Sequence, residues 1–200
     1  MKKTVLLIDA GYLKEASKNT GFFCDKKTVV KIANSCHIKA EEELYKILYY
    51  DCASFDPVNP DTGAINQKFI NKKTGLALEK LENFLIKQLA QEDLFAIRLG
   101  KLKFDGWLEN NKPSFRQKGV DMRIGLDIAH ISHQNKIDRI ILITADTDFI
   151  PAMKYARKSN IQIVLTRLGK NYLSPELKAH ADFTRPIDLE KLELTSFKKK

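Results

Sequence analysis

Four aspartates stand where carboxylates can do chemistry. Asp9 follows the apolar run 5–8, Asp146 and Asp148 follow the apolar run 140–143, and Asp121 follows Gly119 at the start of a predicted helix. In open α/β sheets ligands bind in the crevice beyond the carboxyl ends of the strands. Carboxylates gathered there repel one another unless a hard divalent cation neutralises them. Mg²⁺ or Mn²⁺ held in this way lowers the pKa of a bound water and neutralises a leaving oxygen, which is the chemistry of phosphoryl transfer. Taken singly, each acid has an ordinary role: Asp148 and Asp121 as first-turn acids, Asp9 as a turn former before Gly11. Their expected convergence on one sheet edge is what points to metal.

A cationic and aromatic stretch precedes Asp121. Lys101, Lys103, Lys112, Arg116, Lys118 and Arg123 are interleaved with Phe104, Trp107 and Phe115. Phosphate contacts combined with base stacking suit single-stranded nucleic acid, with Trp107 as the stacking residue. The alternative for Phe104 and Trp107 is a small hydrophobic cluster beneath a loop. Lys118, next to the acids, is the cation best placed to meet a scissile phosphate. With 34 Lys and Arg against 25 Asp and Glu, the net charge of +9 also favours a polyanionic partner. Asp127 lies about 120° around the helix from Asp121, so it is assigned a structural role. His130 and His133 are assigned to a polar helix face, because their HxxH spacing suits a metal poorly.

The elements that must position these residues alternate as βαβ units do. Strands are expected at 5–8, 43–52, 94–99, 139–143 and 161–165. Helices are expected at 27–37, 76–89, 120–132, 149–158 and 173–180, with Leu78, Leu81, Leu85 and Leu89 forming one face of the second. The segment 54–62 is a Pro/Asn/Asp-rich loop, 100–114 an extended hairpin or mobile loop, and 183–187 extended. The expected architecture is a mostly parallel, doubly wound α/β sheet of about five strands with helices on both faces. One domain spans 1–200, with a variable region at 51–117 left to substrate-specific structure.

Several classes are excluded or disfavoured. Cys24, Cys36 and Cys52 form no CxxC pair, which argues against a zinc ribbon or disulfide framework and for a reducing, cytoplasmic setting. The apolar run after Met1-Lys2-Lys3 is too short for a signal peptide, and no stretch reaches membrane-spanning length. No Gly-rich phosphate loop or nucleophile elbow is present. A phosphatase with a nucleophilic DxD after its first strand is disfavoured, since Ala10-Gly11 follow Asp9. The terminal Lys198-Lys199-Lys200 are taken as solubilising. Whether the chain forms a homo-oligomer is left open.

Three segments together resemble a known family: Leu7-Ile8-Asp9-Ala10-Gly11-Tyr12-Leu13, Gln117-Lys118-Gly119-Val120-Asp121, and Thr144-Ala145-Asp146-Thr147-Asp148-Phe149-Ile150-Pro151. They are similar to the NYN domain, in the LabA-like branch of the PIN-like nuclease superfamily. That resemblance runs from residue 5 to about 182. It implies a PIN-like Rossmannoid fold and a divalent-metal-dependent ribonuclease acting on single-stranded or structured RNA. It also implies Asp9, Asp121, Asp146 and Asp148 as catalytic, Mg²⁺- or Mn²⁺-binding carboxylates and products ending in 5′-phosphate and 3′-hydroxyl. Lys118, Arg116, Arg123, Trp107 and Tyr12 are the expected substrate contacts. Tyr12 stands where many NYN domains carry Asn, Ala145 where they carry Gly, and Thr147 where they carry Ser. The Tyr12 departure opens an alternative, an RNA-binding or regulatory module with a weakened site.

Overall fold

The structure, a computed structural model, describes residues 1–197. The terminal lysines taken above as solubilising lie outside the described residues. The chain alternates strand and helix: β1 (Lys2–Asp9), α1 (Ala10–Thr20), α2 (Lys26–Ser35), β2 (Glu42–Cys52), α3 (Phe84–Leu89), β3 (Phe95–Trp107), β4 (Pro113–Lys118), α4 (Val120–Gln134), β5 (Arg139–Ile143), α5 (Ile150–Lys158), β6 (Gln162–Leu168), α6 (Pro175–Ala179) and β7 (Phe183–Ile187). The sheet has seven strands in the order β4-β3-β2-β1-β5-β6-β7, and every pairing is parallel except β3 with β4. The expected five strands are all present. The two extra are β4, from the expected hairpin or loop, and β7, from the expected extended segment.

The central strands are buried on both faces, so they carry near-continuous Val, Ile and Leu. Their period of two divides the core. Val5, Leu7, Ile140 and Leu142 pack with Ile124 and Ile128 of α4 and Met153 of α5. Leu6, Ile8, Ile141 and Ile143 pack with Leu13 of α1 and Val29 and Ile32 of α2. The chain winds outward from β1 through β2 to β4 and then returns to β5 on the other side of β1. The carboxyl ends of β1 and β5 therefore flank a topological switch point, where open α/β sheets bind ligands.

The expected helix over 76–89 is corrected: only Phe84–Leu89 is helical. Leu81 forms an antiparallel bridge with Phe55, and Ala77 one with Ile70. Pairing within the insert overrides the leucine spacing, which fits an extended chain burying Leu78 as well as a helix. Helix α1 carried no sequence expectation, because its apolar face is short.

The amino ends of the strands are tied by a buried ionic knot. The fully buried Glu42 side chain, at the start of β2, accepts from Arg139 of β5, from Arg185 of β7 (Nη2–Oε1 2.8 Å, Nη1–Oε2 3.0 Å) and from the Ile38 amide (2.6 Å). Burial opposes its charge, yet the guanidinium groups and the amide prevail and hold its pKa down to about 2.

Candidate metal centre

At the carboxyl edge, Asp9 ends β1 and caps α1. One carboxylate oxygen accepts from the Gly11 amide (2.9 Å) and, more loosely, the Tyr12 amide (3.4 Å). The other accepts from the Thr144 hydroxyl (3.1 Å). Asp9 is only 9% exposed, and burial raises its pKa against these hydrogen bonds, with the Asp121 charge adding to the rise. Gly11 is fitted to this arrangement: a Cβ there would lie 3.2 Å from an Asp9 carboxylate oxygen and 3.6 Å from the Gln117 side-chain oxygen.

Asp146 follows β5 and caps the single 3-10 turn Thr147–Phe149, accepting from the Asp148 amide (2.9 Å). The Asp146 amide in turn donates to the Thr144 hydroxyl (3.2 Å). Thr144 thus links the two acids of the switch point. Phe149, 2% exposed, is buried against α4 and α5 and leaves Asp148 at the surface. Asp121 lies in the first turn of α4, where the helix dipole favours an anion. Burial raises the Asp121 pKa, and the charges of Asp146 and Asp148 raise it further.

The turn bearing Asp121 is fixed from below. Gly119 has φ +79°, a left-handed conformation suited to glycine. Gly100 on β3 lies directly against this turn: a Cβ there would come within 2.7 Å of both the Lys118 carbonyl oxygen and Val120 Cγ2.

The four predicted acids therefore share one edge, and Asp121 stands between the others electrostatically: its charge reaches Asp9, and the charges of Asp146 and Asp148 reach it. They do not form a closed coordination cage: among the described residues, no group of three or more His, Cys, Asp or Glu is set to hold an ion. The donor chemistry still fits Mg²⁺ or Mn²⁺, hard cations that take carboxylate oxygens and complete their shell with waters and substrate phosphates, so a closed protein cage is not required. None of the four acids is ion-paired with Lys or Arg among the described residues. By contrast Asp51, Asp105, Asp127 and Asp182 each have such a partner.

Asp51, at the end of β2, is a fifth acid at this edge. It is 1% exposed and neutralised locally by Lys14 Nζ (2.8 and 2.7 Å), with Asn83 Nδ2 at 2.9 Å. Asp51 falls inside the expected strand 43–52 and gives no signal of its own in the sequence, because its partners lie 37 and 32 residues away. Thr144 was missed as a positioning residue, though a hydroxyl closing an otherwise apolar strand is a usable signal. Asp127 accepts from Tyr50 Oη (2.8 Å) and Arg98 Nε (3.0 Å), which ties α4 to β2 and β3.

The expected substrate contacts are spread out. Lys118 and Arg123 are exposed beside Asp121 and form no ion pair among the described residues, whereas Arg116 pairs with Asp105 (2.9 Å). Lys101 lies opposite Lys118 and Lys103 opposite Arg116, so one face of the β3–β4 hairpin carries facing cations. The opposite face is aromatic. Trp107 meets Phe104 edge-on (5.5 Å), and Phe104 meets Phe115 and Phe69, with Phe55 completing the cluster. A bulge between Phe104 and Gly106 turns Trp107 onto this face; unbroken alternation would place it with the lysines. Tyr12 packs against the α1 side of the core, its hydroxyl buried next to the Leu168 backbone.

The NYN domain family model matches residues 78–190, more than half of the chain and inclusive of Asp121, Asp146 and Asp148. This protein belongs to the NYN domain family. Its fold is accordingly PIN-like, and the family lies in the PIN-like nuclease superfamily, whose members typically use divalent metals. A Vibrio parahaemolyticus protein of unknown function is similar with a TM-score of 0.58 at 18% identity, over 94% of this chain and 93% of that one. At that identity the likeness is one of fold alone. Among curated proteins, none matches. Among the described residues no helix is long and apolar enough to cross a membrane.

Proposed function

We propose that this NYN protein is a divalent-metal-dependent endoribonuclease of the LabA-like branch. The observation that carries the reading is the set of four carboxylates at the switch point, without a Lys or Arg partner among the described residues and coupled in charge through Asp121. Asp9, Asp121 and Asp146 would hold Mg²⁺ or Mn²⁺, with Asp148 completing the set or orienting the attacking water. An ion held there would supply an acidified water and charge neutralisation at the leaving 3′-oxygen, the chemistry that yields 5′-phosphate and 3′-hydroxyl ends. The chain's own residues position the reaction. Thr144 and the Gly11 amide fix the Asp9 carboxylate, and the α4 amino terminus offsets the charge of Asp121. Lys118 would meet the scissile phosphate, with Arg123 and the Lys101/Lys103/Arg116 face of the hairpin taking the neighbouring backbone. The hairpin's aromatic cluster supports that face from behind. The free cysteines suit a cytoplasmic setting.

The test is cleavage of single-stranded and structured RNA with Mn²⁺ or Mg²⁺, comparing wild type with Asp146→Asn. Asn keeps the cap and the shape, so a loss of at least about a hundredfold is expected from the charge alone. Equal rates would remove Asp146 from the mechanism. A second reading, an RNA-binding regulatory module, is favoured by one observation. Tyr12, in the position of the family's Asn, is turned into the core and offers no amide to the edge. It predicts RNA binding that weakens steeply with salt and no metal-dependent cleavage by the wild type.

A further inference from the structure

Away from the acidic edge, at the tip of the β3–β4 hairpin, a cleft of about 410 Å³ is lined by Lys68, Asn71, Lys72, Lys73, Trp107 and Glu109, among others. Two of these residues carry donors with no partner among the described residues. Asn71 is 2% exposed; its side-chain oxygen accepts from the Lys73 and Thr74 amides (2.9 and 3.2 Å), while its Nδ2 bonds to nothing. The indole Nε1 of Trp107 is likewise buried without an acceptor. Buried polar groups are almost always satisfied, and an unmet donor is costly. Both orphans are donors only, so they call for a ligand made of acceptors.

The rim gives that ligand its sign. Lys72 and Lys73 extend from the turn that the Asn71 oxygen closes, and Lys68 rests over the Phe69 ring at 4.7 Å. None of the three ion-pairs with a carboxylate among the described residues. Among the described residues Glu109 is the one acid lining the cleft, which leaves the rim with a net positive charge. We propose that this cleft is a phosphate-binding site: phosphate oxygens accept from Asn71 Nδ2 and Trp107 Nε1, and the lysines neutralise the charge. The phosphate is either that of a nucleic-acid backbone or that of a small phosphorylated molecule. The site goes beyond the nuclease reading and stands whether or not the acidic edge cleaves RNA.

Trp107 is the only tryptophan of the chain and lines this cleft, so every indole signal comes from its wall, and the Lys72/Lys73 variant below separates the cleft from the hairpin face. The full-length protein is titrated with inorganic phosphate, pyrophosphate and a short single-stranded oligoribonucleotide, while the indole N–H resonance and Trp emission are followed. Potassium chloride at matched ionic strength is the control. A saturable movement of the indole N–H with a phosphate-bearing ligand is expected, weakened at least tenfold in Lys72→Ala/Lys73→Ala. These exposed substitutions leave the fold intact, so no loss can be blamed on unfolding. Asp146→Asn should respond as wild type does, which separates this site from the acidic edge. A response to the oligonucleotide alone identifies a nucleic-acid backbone as the source; a response to phosphate or pyrophosphate alone identifies a small molecule. The proposal is overturned if no ligand moves the resonance beyond the chloride control, or if the lysine variant binds as wild type does.

Discussion

Thr144 shows how much of a reactive edge can rest on one hydroxyl. It donates to Asp9 and accepts from the Asp146 amide, so the two acids are set relative to each other by a fully buried side chain. Thr144→Val keeps the shape and removes both bonds. It should cost about 1–3 kcal/mol of stability, because a buried amide and carboxylate lose their partner. If the edge binds metal, affinity should also fall by roughly 10–100-fold, as when other groups that orient a ligand are removed. Thermal melts with and without Mn²⁺ check both effects; an unchanged metal-induced shift would show that Thr144 orients nothing. At this scale the sequence was only partly legible. Asp9, Asp121, Asp146 and Asp148 stood out because acids end apolar runs or open a helix. The neutralisation of Asp51 by Lys14 was invisible, since contacts across 37 residues leave no local trace.

The β3–β4 hairpin, with the turn leading into α4, is the element on which the site depends most. Its inner face rests on aromatic residues from the insert, and its root is held where Gly100 lies under the Lys118–Val120 turn. Gly100→Ala forces a Cβ against backbone, so the turn carrying Lys118 and Asp121 must move. The expected cost is about 1–3 kcal/mol, by urea denaturation, and cleavage should fall further than stability does. Retained activity at reduced stability would mean that the turn tolerates displacement. The hairpin was legible as an alternative to a mobile loop, because Gly106 and the Asn110-Asn111 turn interrupt an extended pattern. The side on which Trp107 lies was not legible, since a single bulged residue reverses it. The helix expected over 76–89 failed for a related reason: leucine spacing does not distinguish a helix from an extended segment that has found a partner.

Across the whole molecule, the most legible features were the strands covered on both faces, whose apolar runs leave little choice of structure. Less legible was the Glu42 knot, which joins β2, β5 and β7 from positions 97 and 143 residues apart. Glu42→Gln would leave two guanidinium groups without their counter-charge, and we expect a loss of about 3–5 kcal/mol, a large share of a domain's stability. The pH dependence follows from the depressed pKa. Glu42 binds its proton less readily in the folded state, so its contribution is complete above the ordinary value of 4.5 and is lost as pH falls through about 2. The gap between wild type and variant in melts should therefore be constant near neutrality and narrow on acidification below that ordinary value. A gap that widens in acid would refute the assignment. The knot lies at the amino ends of the strands and the four aspartates at the carboxyl ends. Disarming the one end need not unseat the other, so, on the ribonuclease reading proposed above, an inert Asp146→Asn protein should still fold and serve as bait for the RNA that the intact protein would cut.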